Sequence, residues 1–401
     1  RPIFVSVFKK YDKLNESVQE NIKGMRVVKS FVREEFEMKK FNTAAKEVCD
    51  DFTRAEKLIA LNTPFMQLSR YIIMIFISFF SAKIIVSTNG TELGVGDLGG
   101  MFTYSIQILI SLMMVSMIFV MVTLSIEAAN RIAEVLNEES DITNPSSPLM
   151  NVPNGQVEFD NVSFRYEKSS GYALENINIR IMTGQTVGII GGTGSSKTTL
   201  VNLVSRLYDV TKGRVLVGGH DVRDYDLETL RNAVSVVLQK NVLFSGTIKE
   251  NLRWGNPDAT DAEIIAACQL AMADEFIEKF PDRYDTYIEQ GGTNVSGGQK
   301  QRLCIARAIL KRPKVLILDD STSAVDTRTD ALLKRAFRTA IPNTTKIIIA
   351  QRISSVQDCD FIIVMDNGRI ESFGNHEQLL EKSVIYREVY ESQVKGGSLN
   401  G

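Results

Sequence analysis

The pattern of hydrophobic and polar positions divides the chain into a part with long apolar segments and a part in which short apolar runs alternate with polar stretches. Residues 98–126 contain no charged side chain, and this segment is longer than the roughly 20 residues that a helix needs to cross a bilayer. Residues 71–86 form a second, weaker apolar segment, with Arg70 before it and Lys83 inside it. The pattern predicts two membrane-spanning helices joined by a short loop at residues 87–97.

The flanks of the two spans indicate their orientation. The loop at 87–97 carries no Lys or Arg, whereas Arg54, Lys57 and Arg131 lie on the far sides of the spans. Because basic residues favour the cytoplasmic side, we predict a multi-pass protein of the cell membrane with both long flanks in the cytoplasm. Residues 9–57 alternate charged and apolar positions, which predicts long cytosolic helices with a break near Gly24.

The texture changes after residues 137–155, a linker rich in Pro, Ser, Asn and Gly. From Gln156 onward, short runs of β-forming residues alternate with helical stretches, which predicts an α/β domain with a largely parallel central sheet and an antiparallel subsheet at its start. Because the chain opens with Arg1, we expect a longer polypeptide. The predicted domains are a cytosolic extension at 1–57, two spanning helices at 58–136, the linker at 137–155, the α/β domain at 156–395 and a tail at 396–401.

Composition excludes some classes of function. The formal net charge is −2, which argues against a general nucleic-acid binder. The four cysteines lie without C-x-x-C or Cys/His spacing, so we interpret them as reduced thiols and not as a disulfide frame or a metal site.

Residues 186–208 predict a strand, a glycine-rich loop and a helix, which is the context that a phosphate-binding loop requires. Gly191, Gly192 and Gly194 allow a tight loop whose N–H groups point at phosphate oxygens. We predict that Lys197 reaches the phosphates and that the hydroxyl of Thr198 binds Mg²⁺. The other nucleotide-binding residues predicted in this segment are Thr193, Ser195, Ser196 and Thr199.

The loop departs from the pattern G-x-x-x-x-G-K-[ST] at one position, because Ser196 stands where the second Gly belongs. A side chain is tolerated there if φ is negative, so we expect altered affinity and not lost binding. A second acidic strand end, VLILDD at 315–320, supports the assignment, with Asp319 placed to hold Mg²⁺.

Residues 294–310, NVSGGQKQRLCIARAIL, resemble the L-S-G-G-Q signature motif of ABC transporters, with Val295 at the leading Leu. The whole chain resembles the later part of a bacterial ABC exporter half-transporter, with two last membrane helices followed by one nucleotide-binding domain with a helical signature subdomain. The resemblance implies ATP and Mg²⁺ as cofactors, a lipid bilayer and a second half-transporter as partners, and a small amphiphilic or drug-like cargo. The sequence does not identify that cargo.

The resemblance also implies roles for single residues. Tyr166 matches the aromatic residue that stacks on adenine, and Gln239 matches the glutamine that touches Mg²⁺ and reports the nucleotide state to the membrane helices. Residues 19–28 resemble a coupling helix, and residues 323–326, including Asp326, match a loop that crosses the dimer interface. The residues that match the signature, which contacts the γ-phosphate of ATP held by the other subunit, are Ser296, Gly297, Gly298 and Gln299.

Two departures from the family pattern fall on the candidate catalytic residues Asp320 and Gln351, which act with Gln239. Asp320 replaces the glutamate that positions the attacking water, and a displacement of ~1 Å in a catalytic group can cost ~100-fold in rate. Gln351 replaces a histidine, and its neutral amide cannot become an imidazolium. We therefore expect an ATPase whose own site binds ATP and hydrolyses it slowly, while its signature completes a site on a partner, as in heterodimeric ABC exporters.

Two alternatives stay open at this point. The chain could form a homodimeric exporter of low activity, or an ATP-gated regulatory assembly that does not pump. A soluble ABC ATPase of DNA repair or translation is disfavoured by the long uncharged span at 98–126.

Overall fold

The computed structural model describes residues 2–89, 91–320 and 327–398, and it divides into two compact units, Arg1–Glu139 and Ser140–Gly401. The described part of the first unit is helical, in agreement with the predicted fold class. Its helices are α1 (Pro2–Ser30), α2 (Glu34–Ala60), α3 (Asn62–Ser87) and α4 (Val95–Leu136).

The first unit contains apolar surface that its own packing does not cover. Two of the described segments are long and apolar enough to cross a membrane, Glu34–Ser87, which includes α3, and Val95–Val122 in α4. None of the most apolar stretch of Val95–Val122 is buried. The polar helices α1 and α2 are instead joined by ion pairs, with Lys10 to Asp51 at 2.8 Å and Lys40 to Glu20 at 2.7 Å. Apolar helices without protein cover require lipid or further helices around them.

The break predicted near Gly24 is wrong. Helix α1 continues through Gly24 to Ser30, and the chain turns at residues 31–33, where Val32 adopts a φ of 52°. A glycine inside a helix costs only about 1 kcal/mol relative to alanine, which a helix of 29 residues packed on α2 tolerates. The segment 19–28, predicted as a coupling helix, therefore lies within one continuous helix.

The second unit is the predicted α/β domain. Its described strands are β1 (Val157–Phe164), β2 (Leu174–Ile181), β3 (Thr186–Gly191), β4 (Lys212–Val217), β5 (His220–Asp221), β6 (Val234–Val237), β7 (Gly246–Thr247), β8 (Tyr287–Ile288), β9 (Val315–Asp319), β10 (Thr345–Ile349), β11 (Phe361–Asp366) and β12 (Arg369–Gly374). The six-stranded sheet has the order β12-β11-β3-β10-β9-β6 and is parallel except at the β12 edge, and an antiparallel sheet has the order β2-β1-β4-β5.

Helices cover the parallel sheet, and one of them begins at the signature segment. They are α5 (Lys197–Val204), α6 (Leu227–Ala233), α7 (Ile248–Arg253), α8 (Asp261–Leu270), α9 (Asp274–Ile277), α10 (Gly297–Leu310), α11 (Thr327–Ala340), α12 (His376–Lys382) and α13 (Val384–Ser398).

Two hydrophobic clusters hold this unit together. One lies between the antiparallel sheet, α5 and the central sheet, and it includes Val157, Leu200 and Ile317. The other packs α7, α8 and α10 against the central sheet, and it includes Ile248, Ile264 and Ile305. Every residue of β9 and β10 is buried, which is typical of a parallel strand covered on both faces. The two clusters fix the parallel strands, so their carboxyl ends are held in a defined order.

Candidate functional site

The sheet order brings four sequence motifs to one edge. Strands β3, β10, β9 and β6 are neighbours and run parallel, so their carboxyl ends lie side by side. Ligands of open α/β sheets bind outside these ends. The segments that follow them carry the phosphate loop after β3, Gln351 after β10, Asp319 and Asp320 at the end of β9, and Gln239 after β6.

The phosphate loop turns tightly between β3 and α5. A Cβ on Gly191 would lie 2.2 Å from the carbonyl oxygen of Met365 on β11, so only glycine fits at that position. Gly194 has a φ of 85°, which a residue with a side chain rarely adopts. The loop is closed by Ser195, whose hydroxyl donates to the Gly192 carbonyl at 2.9 Å. Its glycines keep side chains away from the concave face that follows the strand.

Ser196 does not have the negative φ that was expected from the sequence. Its φ is 68° and its ψ is 26°, so it lies in the left-handed region immediately before α5. For a residue with a Cβ this conformation costs about 1–2 kcal/mol, and the Ser196 side chain makes no capping hydrogen bond in return. The expectation of a negative φ is therefore wrong, and the serine occupies a position shaped for glycine.

Lys197 is a partly buried cation that is surrounded by neutral oxygens. Its Nζ donates to the carbonyls of Gly191 and Gly192, both at 2.8 Å, and to Ser195 Oγ at 3.2 Å. Burial lowers the pKa of Lys197, and the nearby carboxylates of Asp319 and Asp320 oppose that shift. A cation that has lost water to burial gains free energy from an added anion, which fits a phosphate group at this loop.

Thr198 and Asp319 bring two oxygen ligands together. The Thr198 hydroxyl donates to Asp319 Oδ2 at 2.8 Å, and Asp319 is only 3% exposed. Burial raises the pKa of Asp319, while the Thr198 hydrogen bond opposes the rise. Hydroxyl, carboxylate and phosphate oxygens are the ligands that Mg²⁺ prefers. These residues therefore fit a magnesium ion held together with a nucleotide, to which Mg²⁺ would contribute charge neutralisation of the phosphates.

Asp320 is bonded to the two amide side chains beside it. Its Oδ2 accepts from Gln351 Nε2 at 2.8 Å and from Gln239 Nε2 at 3.2 Å. Its backbone is also fixed, with a φ of 47° and its N–H donating to the Ile349 carbonyl at 2.9 Å. The three residues predicted to take part in the hydrolytic step are thus brought together, and they converge on one carboxylate oxygen.

The predicted adenine platform lies beside the phosphate loop. The Tyr166 hydroxyl is 3.0 Å from Thr199 Oγ1 on α5, and the Tyr166 ring makes edge contacts with Phe164 and Tyr208. The residue as a whole is 36% exposed. A partly exposed aromatic ring fixed at its polar end can stack on a base.

The signature segment begins helix α10. Ser296 is the N-cap residue, and its Oγ accepts from the Gln299 N–H at 3.3 Å while Gln299 Oε1 accepts from the Ser296 N–H at 2.8 Å. Ser296 and Gly297 are exposed. The N-terminal N–H groups of a helix have no partner within it and carry partial positive charge, so this helix end can receive an anion.

The motifs around the sheet edge line one cavity of about 520 Å³. Of the predicted nucleotide-binding residues, Tyr166 and Ser195 adjoin this cavity without lining it, and among the described lining residues there is no member of the signature. Asp326 lies outside the described residues. Sequence reasoning missed that α13 supplies part of the wall through Ile385, Tyr386 and Val389. The predicted residues that line the cavity are Gly191, Gly192, Thr193, Gly194, Ser196, Lys197, Thr198, Thr199, Gln239, Asp319, Asp320 and Gln351.

Comparison with known families agrees with this arrangement. Residues 174–323 match the family model described as ABC transporter, and residues 1–113 match the one described as ABC transporter transmembrane region. A solved structure of a bacterial Atm1-family ABC exporter with ATP bound has a TM-score of 0.86 and 30% sequence identity, over 98% of this chain and 70% of that one. The helical region followed by an α/β nucleotide-binding domain is therefore the ABC exporter fold, as predicted.

Curated relatives extend the similarity along nearly the whole chain. The uncharacterized ABC transporter ATP-binding protein YknU of Bacillus subtilis is 35% identical over 98% of this chain and 67% of the relative. The corresponding protein Rv1273c of Mycobacterium tuberculosis is 36% identical over 100% of this chain and 69% of the relative. YgaD of Bacillus subtilis, provisionally named as a multidrug export ATP-binding/permease protein, is 36% identical over 94% of this chain and 64% of the relative. The chain spans about two thirds of the length of these relatives, and it belongs to the ABC transporter family.

Proposed function

We propose that this chain is one subunit of an ATP-driven ABC exporter in the cell membrane, paired with a non-identical half-transporter. Its own phosphate loop holds Mg²⁺ and ATP and hydrolyses the nucleotide slowly. Its signature segment completes the site built on the partner, where hydrolysis is fast. The two nucleotide-binding domains close around the bound ATP and open again, and this movement drives an amphiphilic or drug-like cargo through the membrane part. That class of cargo is suggested by the names of relatives such as YgaD.

The observation that carries this proposal is the engagement of Asp320. A carboxylate that orients an attacking water must accept a hydrogen bond from that water. Asp320 Oδ2 already accepts from Gln239 and Gln351, and its side chain is one methylene shorter than glutamate. A water held at Oδ2 would have to compete with these two amides, and a water held by either oxygen would still lie about 1.5 Å from the place a glutamate reaches, a misplacement that can cost ~100-fold.

Gln351 contributes a second reason for slow hydrolysis. Its amide donates a hydrogen bond to the carboxylate, but an amide cannot gain a proton as an imidazole does. A general acid–base group is typically worth 10²–10⁴ in rate. The two replacements therefore act in the same direction, whereas the residues that hold phosphate and metal, Lys197, Thr198 and Asp319, are all present in the cavity.

The test restores the two side chains in the assembled transporter. Asp320→Glu with Gln351→His should raise hydrolysis at this chain's own site by about 100-fold or more, measured as ATP split per complex while the partner's site is disabled. Asp258→Glu with Gln269→His, at exposed positions of the same domain, is the matched control and should leave the rate unchanged. Asp320→Glu alone measures the effect of the longer carboxylate on the rate, and Gln351→His alone measures the effect of replacing the amide by an imidazole.

Assembly is tested by comparing the chain alone with the pair. The purified full-length chain should bind ATP with negligible turnover, and co-assembly with a partner that carries Glu and His at the two positions should restore turnover. Substantial Mg²⁺-dependent ATPase activity from a homodimer of this chain would contradict the proposal of a slow site on this chain and a fast site on the partner. Restored hydrolysis without cargo movement in vesicles would favour the regulatory alternative.

A further inference from the structure

The C-terminal helix α13 packs against the nucleotide cavity. Ile385, Tyr386 and Val389 line the same cavity as the phosphate loop. Tyr386 is fully buried, and its hydroxyl lies 2.8 Å from His376 Nδ1 at the start of α12. The helix is therefore anchored at its first turn, and its next turns run beside the segment that follows β10.

Gln393 lies one turn beyond Val389, on the same face of α13. Its Nε2 donates to the backbone carbonyl of Gln351 at 2.8 Å, and its Oε1 accepts the backbone N–H of Ile353 at 2.9 Å. One amide side chain thus binds the backbone on both sides of Arg352. This pairing needs a donor and an acceptor side by side, and the carboxamide of a Gln side chain provides both.

The backbone held in this way carries the side chain that reaches Asp320. Gln351 offers its carbonyl to Gln393 and donates its side-chain amide to Asp320 Oδ2 at 2.8 Å. The same Gln351 lines the nucleotide cavity. A connected path of hydrogen bonds therefore runs from α13 through Gln351 to the carboxylate at the end of β9.

We propose that Gln393 is a positioning residue of the nucleotide site, which holds the backbone after β10 so that Gln351 faces Asp320 and the cavity. The role in nucleotide retention rests on the proposed function of the cavity as an ATP site. Gln393 is exposed and is not among the described residues that line the nucleotide cavity, so it acts on the site through Gln351.

The first test measures the two hydrogen bonds from the Gln393 side chain to the backbone at Gln351 and Ile353. Gln393→Met has nearly the same shape but has neither the donor nor the acceptor, and loss of an exposed side chain leaves no buried cavity, so the variant should fold. Hydrogen exchange at the Ile353 amide in the full-length chain should become faster in this variant, by roughly 2–10-fold for one net hydrogen bond. Unchanged exchange at Ile353 would overturn the proposal, whatever the cavity binds.

The second test measures ATP retention in the assembled transporter with Mg²⁺. Gln393→Met should speed ATP dissociation from this chain's site by roughly 2–10-fold. In a Gln351→Ala background the same substitution should have no further effect, because residues that act through one contact are not additive. An equal acceleration in both backgrounds would mean that Gln393 acts through general stability, and it would overturn the proposal.

The controls keep the two proposals apart. Ser392→Ala, at the neighbouring exposed position, should leave Ile353 exchange and ATP dissociation unchanged. Gln393→Asn keeps the amide on a shorter side chain and should lose both hydrogen bonds to the backbone. It replaces Gln393→Met in both tests if the methionine variant does not fold. If the wild-type chain binds no ATP, the proposed function fails, while Ile353 exchange still decides whether Gln393 holds the backbone.

Discussion

The phosphate pocket and the signature helix of this chain use their polar groups in opposite ways. In the pocket, Thr198 bonds Asp319, and Asp320 accepts the amides of Gln239 and Gln351. At the signature, Ser296 and Gly297 are exposed at a helix start, where N–H groups have no partner within the helix. The acid of the pocket is engaged by its own neighbours and is poorly placed to activate water, whereas the first N–H groups of the exposed helix start can receive an anion held by another molecule.

The largest expected effect comes from the signature side. Ser296→Ala should lower ATP turnover of the assembled transporter by roughly 100-fold, as removal of one oxyanion donor does in other enzymes. ATP binding by the chain alone should not change. Steady-state ATPase assays of the complex and nucleotide binding to the isolated full-length chain give the two readings.

Helix capping must be separated from that effect, because loss of a serine cap costs about 1 kcal/mol. Ser296→Thr keeps both the hydroxyl and the cap, so its turnover should stay within a few-fold of the wild type. Weaker ATP binding to the isolated Ser296→Ala chain, with normal turnover of the complex, would reverse the roles of the two regions.

On the pocket side, Thr198→Ala should reduce the dependence of ATP affinity on Mg²⁺, because Asp319 and Gln239 stay beside the cavity. In the wild type, removal of the metal with EDTA should weaken ATP binding by about 10-fold or more, because changes around a metal ligand typically cost 10–100-fold. Titration of the full-length chain with a fluorescent ATP analogue measures both. Thr198→Ser keeps the hydroxyl and should behave as the wild type, and an equal Mg²⁺ effect in the alanine variant would count against Thr198 as a ligand.

A smaller effect is expected at the adenine platform. Tyr166→Leu should weaken ATP binding to the chain by about 10-fold, since stacking of a base on an aromatic ring is worth about 1–3 kcal/mol. Tyr166→Phe keeps the ring and loses only the contact with Thr199, so its affinity should stay within a few-fold. Equal losses in the two variants would show that the hydroxyl, and not the ring, holds the nucleotide.

The smallest effect concerns backbone strain in the phosphate loop. Ser196→Gly should raise the free energy of unfolding by up to about 1 kcal/mol, because relief of the left-handed serine is partly offset by the greater freedom of glycine in the unfolded chain. Ser196→Ala keeps the Cβ and the strain, so it should give no gain in chemical denaturation. A similar gain in both variants would mean that the serine hydroxyl, and not φ, is unfavourable there.

The sequence by itself determined the features that local patterns encode. The uncharged run at 98–126 predicted the apolar segment of α4, and the alternation of short β runs with helices predicted the parallel central sheet and the antiparallel subsheet. The phosphate loop and the signature could be predicted because each is built from consecutive residues whose backbone N–H groups act together. Ser296 at the start of α10 follows from the same local logic, since capping residues act within one turn.

Only the tertiary structure decided how the distant segments meet. The insertion of β10 between β3 and β9 brings Gln351 to Asp320, and no local pattern contains that strand order. The contact of Gln393 with the backbone after β10 was likewise absent from sequence reasoning. The reason is physical, because such contacts join residues far apart in the chain, and packing of the whole sheet and its helices selects them.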